Sequence, residues 1–375
     1  MSTPKTTKEY TKMKRIGNIY DKIVSYENLL NAHLRARKKK GRYIEVKEVN
    51  ENTEEYLKNL HFILANEFYY INSSDYKREI IIDKGKEREI LKLSYYPHRI
   101  VQWAIMLQIE DRFLKSLILD TYASIEERGL HFGARRVKNA LRKDPQGTKY
   151  CLKLDMKKYY PSIDNEILFE IVKTKIKDKK LLRLISIIIF SMGAKGQPIG
   201  SLWSQWAGNL YLSQLDHYVK EKLKGKYYFR YCDDIVIFGS SKEELRKILK
   251  EVTEIAGAVL NLKIKENYQI FPTRVRGVDF LGYRFFGDFI LLRKRVLKQM
   301  KRKLIPLRDK TILTNSENSA INSYKGWLKF CDSYRLREKY LVPLKDKFYI
   351  DIKGNKRRVD INVRSRRKRK KNNNN

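Results

Sequence analysis

The chain has 375 residues, and 81 Lys or Arg against 43 Asp or Glu leave a formal charge of +38. A surface of that sign selects polyanions as partners, while 42% apolar residues with 25 Tyr and 15 Phe supply a core and exclude a disordered basic tail. Cys151, Cys232 and Cys331 lack metal-ligand spacing and exclude a disulfide framework, no apolar run reaches roughly 18 residues, and the start is no signal peptide; the expectation is a soluble intracellular protein with no membrane contact.

Along the chain, residues 1–15 are polar, and 16–40 set Ile16, Ile19, Tyr20, Ile23, Leu29, Leu30 and Leu34 at helical spacing, which predicts a helix with a basic outer face. A second helix is predicted over 53–69, then a basic hairpin of 77–83 and 87–93 about the turn Lys84-Gly85-Lys86. Pro97 opens a helix carrying Ile100, Val101, Ala104, Leu107 and Ile109, and 128–144 reads as a loop and a basic helix. From Lys149 short apolar strands alternate with long helices, the pattern of an α/β sheet domain. It reads as a strand over 150–155, two helices within 163–190, another over 201–224, a hairpin over 227–239, a helix over 241–259 and further strands over 278–292. A helical region resumes after Arg295, with 321–340 its clearest helix, and the Lys/Arg-rich segment 353–371 reads as a solvated or nucleic-acid-contacting tail rather than a folded element.

The chemistry concentrates in Tyr231-Cys232-Asp233-Asp234, set between the strand-like runs 227–230 and 235–238. Two adjacent carboxylates at the tip of a buried hairpin are costly unless a cation sits there; the alternative is a solvated turn. A third carboxylate, Asp155, ends the strand Cys151-Leu152-Lys153-Leu154 and meets the hairpin tip if the two strands are neighbours. Two Mg²⁺ ions need such a cluster, one to lower the pKa of an attacking hydroxyl and the other to neutralise a leaving phosphate. In that reading Asp155 and Asp233 bridge both ions, Asp234 supports one, the Met156 carbonyl adds a ligand, and Asp164 is a helix N-cap.

Asp155 with Tyr231-Cys232-Asp233-Asp234 resembles the palm of a reverse transcriptase. Arg88-Glu89-Ile90, His98-Arg99-Ile100-Val101-Gln102, Tyr122-Ala123-Ser124 and the segment 129–136 fall in the order of the fingers motifs of bacterial, group II intron-like reverse transcriptases. Phe280-Leu281-Gly282-Tyr283 resembles the segment that grips the primer. Gln197-Pro198-Ile199-Gly200-Ser201-Leu202-Trp203-Ser204-Gln205 departs from the family's usual Pro-Gln-Gly followed by Ser-Pro. It is similar to the reverse transcriptases of diversity-generating retroelements, as is Ser323-Tyr324-Lys325-Gly326-Trp327-Leu328.

The resemblance implies an α/β (α+β) right-hand polymerase: an N-terminal extension and fingers over 1–148, a palm with part of the fingers over 149–292, a helical thumb over 293–350 and a basic tail over 351–375. It implies RNA-directed DNA synthesis with two Mg²⁺ ions, Mn²⁺ being a substitute, in a bacterial or phage-encoded cytoplasmic enzyme. Tyr160 would lie under the incoming sugar and exclude a 2′-hydroxyl, or else be a core aromatic. Arg99, Lys92 and Arg88 would hold the triphosphate, with Gln197 and Ile199 beside the nucleotide. Lys263 or Lys265 would protonate pyrophosphate. Partners implied are dNTPs, a structured template RNA with its RNA–cDNA heteroduplex, and a small, basic, helical, oligomeric accessory protein. Ile199 stands where the family usually has Gln, so it either lowers fidelity, with errors at template adenines in mutagenic retrohoming, or merely packs the sheet. The rivals are an intron-type or phage-defence reverse transcriptase, and a non-catalytic RNA-binding protein of polymerase fold.

Overall fold

The computed structural model describes residues 14–83 and 86–362, which divide into two compact units. The first takes the described residues up to Arg128, Leu152–Ile237 and Glu243–Gln269. Its N-terminal part is helical, but the single helix expected over 16–40 is two, Tyr20–Val24 and Tyr26–Ala36. Ser25 interrupts it and caps the second helix, its Oγ accepting the Asn28 N–H at 3.3 Å. The apolar stripe read from the sequence is buried, Ile23, Leu29 and Ala32 being 0% exposed. The buried Asn28 amide donates to Ile23 O and Ala104 O, locking this helix to Ile100–Lys115. The next helix, Thr53–Ala65, stops short of the expected residue 69 because Glu67 turns left-handed at φ 57°. The basic hairpin forms as strands Lys77–Asp83 and Lys86–Lys92, paired antiparallel from Lys77↔Lys92 to Asp83↔Lys86; its turn residues Lys84 and Gly85 lie outside the described residues. The helix read from Pro97 begins at Ile100, after a wider turn over Tyr95–Arg99.

The sheet that carries the carboxylates sets the strand Asp234–Gly239 between its hairpin partner Tyr227–Tyr231 and the strand Tyr150–Asp155. Helices Asn165–Lys173, Lys179–Phe190 and Leu202–His217 accompany it. Asp164 caps the first, accepting the N–H groups of Glu166 and Ile167, each at 3.2 Å. Leu202–His217 is buried over most of its length, as a central helix must be, and carries the polar side chains of Asn209 and Asp216 into the interior.

The second unit takes Gly129–Cys151, Phe238–Lys242 and the described residues from Ile270. It contains the basic helix Leu130–Lys143, the antiparallel meander Val278–Phe280, Tyr283–Phe285, Ile290–Leu292, and the helix Lys294–Leu304. The long helix expected over 321–340 is split into Asn315–Leu328 and Tyr334–Tyr340. Ser333 Oγ donates to Leu328 O at 2.6 Å and Asp332 accepts the Ile290 N–H at 2.7 Å, so the intervening residues serve tertiary contacts instead of helical ones. The basic end is partly folded, contrary to expectation: Lys356–Arg358 pairs antiparallel with Phe348–Ile350, which pairs parallel with Ile312–Leu313. Asp351 and Asp346 pair with Arg357 and Arg358 at 2.6 Å each, which offsets part of the charge run that read as a solvated tail. The rest of that expectation, from residue 363, and the polar start 1–13 lie outside the described residues. Among the described residues no helix is long and apolar enough to cross a membrane.

Candidate active site

The loop joining strands Tyr227–Tyr231 and Asp234–Gly239 is two residues long, and its first, Cys232, takes the left-handed φ of 57° that such tight hairpin turns need. This delivers Asp233 to the end of the neighbouring strand, beside Asp155. Asp233 is pushed up to about 7 from an ordinary carboxylate value of 3.8, first by burial and then by the charge and proximity of Asp155. Two carboxylates this close raise the cost of ionising both, a cost that a bound cation would offset. Apart from the Asp233 carboxyl, which hydrogen-bonds to Asp155, the buried Asp155 Oδ1 has no donor, while Oδ2 is held by Lys265 Nζ. Asp234 is turned to Lys153, whose Nζ lies 3.4 Å from Oδ1. Among the described residues no group of three His, Cys, Asp or Glu side chains has converged on one point. The structure therefore joins Asp155 and Asp233 directly and sets Asp234 at the edge of the pair.

Beyond Asp155 the chain meets residues 261–265, which form an isolated bridge, Met156↔Ile264, instead of the strand considered from the sequence. Lys265 N–H donates to Asp155 O at 2.9 Å and Lys157 N–H donates to Lys263 O at 2.8 Å. These bonds bracket Met156, whose own carbonyl takes no part in them. Of the two lysine candidates, Lys265 brings its amine to the carboxylates, whereas Lys263 contributes its backbone carbonyl to the bridge. An all-oxygen donor set with one orphaned buried carboxylate oxygen fits a hard divalent cation.

Tyr160 borders the hairpin tip, its hydroxyl 3.5 Å from Cys232 Sγ. Burial, with Cys232 next in weight, raises its pKa. Sequence reasoning missed the residue that makes room for it: a Cβ on Gly208 would lie 3.2 Å from Tyr160 Cε1 and 3.3 Å from Tyr159 Cε1. Tyr159 is buried and donates its hydroxyl to Gly208 O, so it is Tyr160 that keeps a free edge.

The basic groups expected to hold a triphosphate are only partly assembled. Arg99 is half-buried, burial lowers its pKa, and its Nε has no acceptor. Lys40, which the sequence did not single out, is lowered by burial and then by the charges of Arg99 and Lys92, so the three cations share one field. Lys92 is ion-paired with Glu79 across the hairpin, and Arg88 is exposed on the same strand. Arg99 also lines a cavity of about 350 Å³ with Arg35, Trp103, Glu110, Gly200 and Trp206. Gln197 departs from expectation: it is 4% exposed, and its amide donates to Asn165 Oδ1 at 2.8 Å and Ile189 O at 3.1 Å, so it ties the loop down instead of facing a nucleotide. Ile199 is half-buried, with its carbonyl accepting the Leu91 N–H at 3.1 Å. Gly200 follows at φ +114°, where a Cβ would stand 2.8 Å from Ile90 Cγ2.

In the second unit, Phe280-Leu281-Gly282-Tyr283 forms the first turn of the meander. Phe280 and Tyr283 are 0% exposed and Leu281 4%, so this segment presents backbone rather than side chains to its surroundings. Trp327, from the second motif quoted above, packs at 5.3 Å on the Tyr283 ring and accepts the Tyr283 hydroxyl at its carbonyl. His131 joins the cluster, stacked on Phe330 at 3.9 Å.

Residues 76–285 match the family described as reverse transcriptase (RNA-dependent DNA polymerase). The chain is 25% identical to the retron Ec73 reverse transcriptase of Escherichia coli over 285 residues, 70% of this chain and 87% of that protein. It is 24% identical to protein YkfC of Escherichia coli K12 over 240 residues, 52% of this chain and 61% of that one. Among solved structures it is similar to apo telomerase from Candida tropicalis, with a TM-score of 0.48 and 13% identity over 80% of this chain and 62% of that chain. Telomerase from Candida albicans, solved with a fragment of telomeric RNA, gives a TM-score of 0.45 at 11% identity over 74% of this chain and 61% of that chain. The chain thus spans about three fifths of the telomerase chains it resembles.

Proposed function

The chain belongs to the reverse transcriptase family, RNA-directed DNA polymerases that use divalent metal, and from that premise we propose that Asp155, Asp233 and Asp234 form its nucleotidyl-transfer centre. The observation that carries the reading is the carboxylate pair: Asp233 pushed up to about 7 by burial and by Asp155, with which it is hydrogen-bonded, next to a buried Asp155 oxygen with no donor besides that carboxyl. Asp155 and Asp233 would hold the cations, two in the reading adopted here, with Asp234 and the Met156 carbonyl at the edge. When bound, the ions activate the primer hydroxyl and neutralise the leaving pyrophosphate. Lys265 is favoured over Lys263 as the proton source for pyrophosphate because its amine already contacts Asp155. Arg99, Lys92, Arg88 and Lys40 supply positive charge for the triphosphate, and Tyr160 excludes the 2′-hydroxyl. In this reading fingers, palm and thumb follow the divisions 1–148, 149–292 and 293–350.

The finer assignment is a bacterial or phage-encoded cytoplasmic enzyme of a diversity-generating retroelement, copying a structured template RNA with errors at adenines and working with a small basic accessory protein. Its support is Ile199, a hydrocarbon side chain on a loop whose backbone is bonded to the basic hairpin. A retron-type enzyme is the second reading, favoured by the similarity to the Ec73 protein. Primer extension by the purified protein on RNA with Mg²⁺, sequenced product by product, tests both. The retroelement reading expects misincorporation concentrated opposite adenine and reduced about fivefold in Ile199→Gln, the worth of one hydrogen bond. Equal error at all four template bases, unchanged in Ile199→Gln, rules out the retroelement assignment while leaving the polymerase itself intact.

A further inference from the structure

Arg230 lies in the first strand of the hairpin, just before its turn, and is 0% exposed, as is its partner Asp216 on the helix Leu202–His217. Its guanidinium forms a fork on the carboxylate: Nε donates to Asp216 Oδ1 at 2.7 Å and Nη2 to Oδ2 at 2.6 Å. The remaining hydrogens are also used. Nη2 donates to Asn209 O at 3.1 Å and is 3.4 Å from Thr121 Oγ1, while Nη1 donates to Asn209 Oδ1 at 3.3 Å and to Cys232 O at 3.0 Å. Asp216 is satisfied in turn by the hydroxyls of Tyr228 at 2.6 Å and Thr121 at 3.2 Å. The backbone of residue 230 is pinned as well, its N–H donating to Asp120 O at 2.9 Å and its carbonyl accepting the Tyr122 N–H at 3.1 Å.

One arm of this network reaches out of the core to the loop. Cys232 is the left-handed residue of the turn, a conformation that side chains with a Cβ adopt rarely, and no glycine is present to relieve it. The same peptide group whose oxygen Arg230 grips carries the nitrogen of Asp233. Resting on the catalytic reading of Asp155 and Asp233 given above, we infer that Arg230 is a positioning residue that, anchored by Asp216, fixes the Cys232–Asp233 peptide and so aims the Asp233 carboxylate at Asp155. A buried ion pair is a weak source of stability but a precise spacer, because a fork of fixed geometry tolerates little displacement.

The double variant Arg230→Met/Asp216→Asn tests this. It removes both buried charges together and keeps an acceptor for the Tyr228 hydroxyl, but nothing in it can hold Cys232 O. On an RNA template–primer with Mg²⁺ and saturating dNTP, kcat should fall by about 100-fold, as displacements of an ångström at a reacting centre do. The dNTP KM, the Kd for template–primer and the unfolding midpoint should stay near wild type, a split that a merely structural role does not give. A wild-type kcat in the folded double variant overturns the inference. Should that variant not fold, Arg230→Lys retains the charge opposite Asp216 but lacks the fork needed to reach both Asp216 and Cys232 O; the same loss of kcat supports the inference and a wild-type kcat overturns it. Absence of synthesis by the wild-type protein overturns instead the catalytic reading on which the inference rests.

Discussion

Gly282→Ala is expected to destabilise the second unit by an amount that follows from two distances and an angle. A Cβ at residue 282 would lie 2.5 Å from Trp327 Cζ3 and 2.6 Å from Cη2, well inside contact, so the indole must move. The ring is held by Tyr283 at 5.3 Å and His131 at 5.9 Å, and His131 is itself stacked on Phe330, so displacement disturbs the whole cluster. Such overpacking costs ~1–3 kcal/mol. Residue 282 also sits at φ +81°, which adds ~1–2 kcal/mol for a residue with a Cβ. The sum, about 2–5 kcal/mol, corresponds to amide exchange at least ~30-fold faster where that exchange requires the unit to open. Hydrogen exchange resolved by peptide is the assay, read over Val278–Leu292 and Asn315–Leu328, because one global melting curve would mix the two units. Gly282→Ala/Trp327→Leu should regain part of the protection, since it removes the overlap and keeps the backbone strain. Exchange in Gly282→Ala within about threefold of wild type would refute the packing described for this turn.

Three further outcomes are expected. Because the Asp233 carboxyl is raised to about 7, it holds a proton below that pH in cation-free protein, and a divalent cation must displace it. Mg²⁺ affinity should therefore rise about tenfold per pH unit below 7 and level off above it, with proton release seen by calorimetry in two buffers; flat affinity across this range contradicts the paired-carboxylate geometry. The sign for stability is opposite: a carboxyl raised from 3.8 when folded favours the folded state at low pH, and without cation that advantage is lost as pH rises toward about 7. Tyr160→Ala should raise ribonucleotide incorporation relative to deoxyribonucleotide by at least ~10-fold, measured by competing substrates on one template; unaltered selectivity makes Tyr160 a packing residue only.

The parts of the molecule legible in the sequence are those whose signal is local. The runs 77–83 and 87–93 about Lys84-Gly85-Lys86 give the basic hairpin, and Asp155 and Asp233 are readable because one ends a strand and the other sits in the turn between two strands. What the sequence misread depends on partners far along the chain. Gln197 looks like a polar nucleotide contact until Asn165 and Ile189 claim its amide. The break within 321–340 comes with Ser333 Oγ bonding back to Leu328 O at the end of the first helix and with Asp332 bonding to Ile290, 42 residues earlier. Gly208 and Lys40 carry no motif; only the approach of Tyr160 to the one, and the charges of Arg99 and Lys92 beside the other, bring them into view. Arg230 was visible only as a strand residue, although an arginine within a buried apolar strand signals a buried acid, here Asp216.

The most direct measurement is primer extension on an RNA template across a Mg²⁺ titration, comparing wild type with Asp233→Asn and monitoring template–primer Kd alongside. Wild type should require the cation, and Asp233→Asn should lose at least ~100- to 1,000-fold in rate while binding template–primer as wild type does. Synthesis by Asp233→Asn near the wild-type rate, or wild-type synthesis in the presence of excess chelator, would contradict the assignment of Asp155 and Asp233 as the metal-dependent catalytic centre.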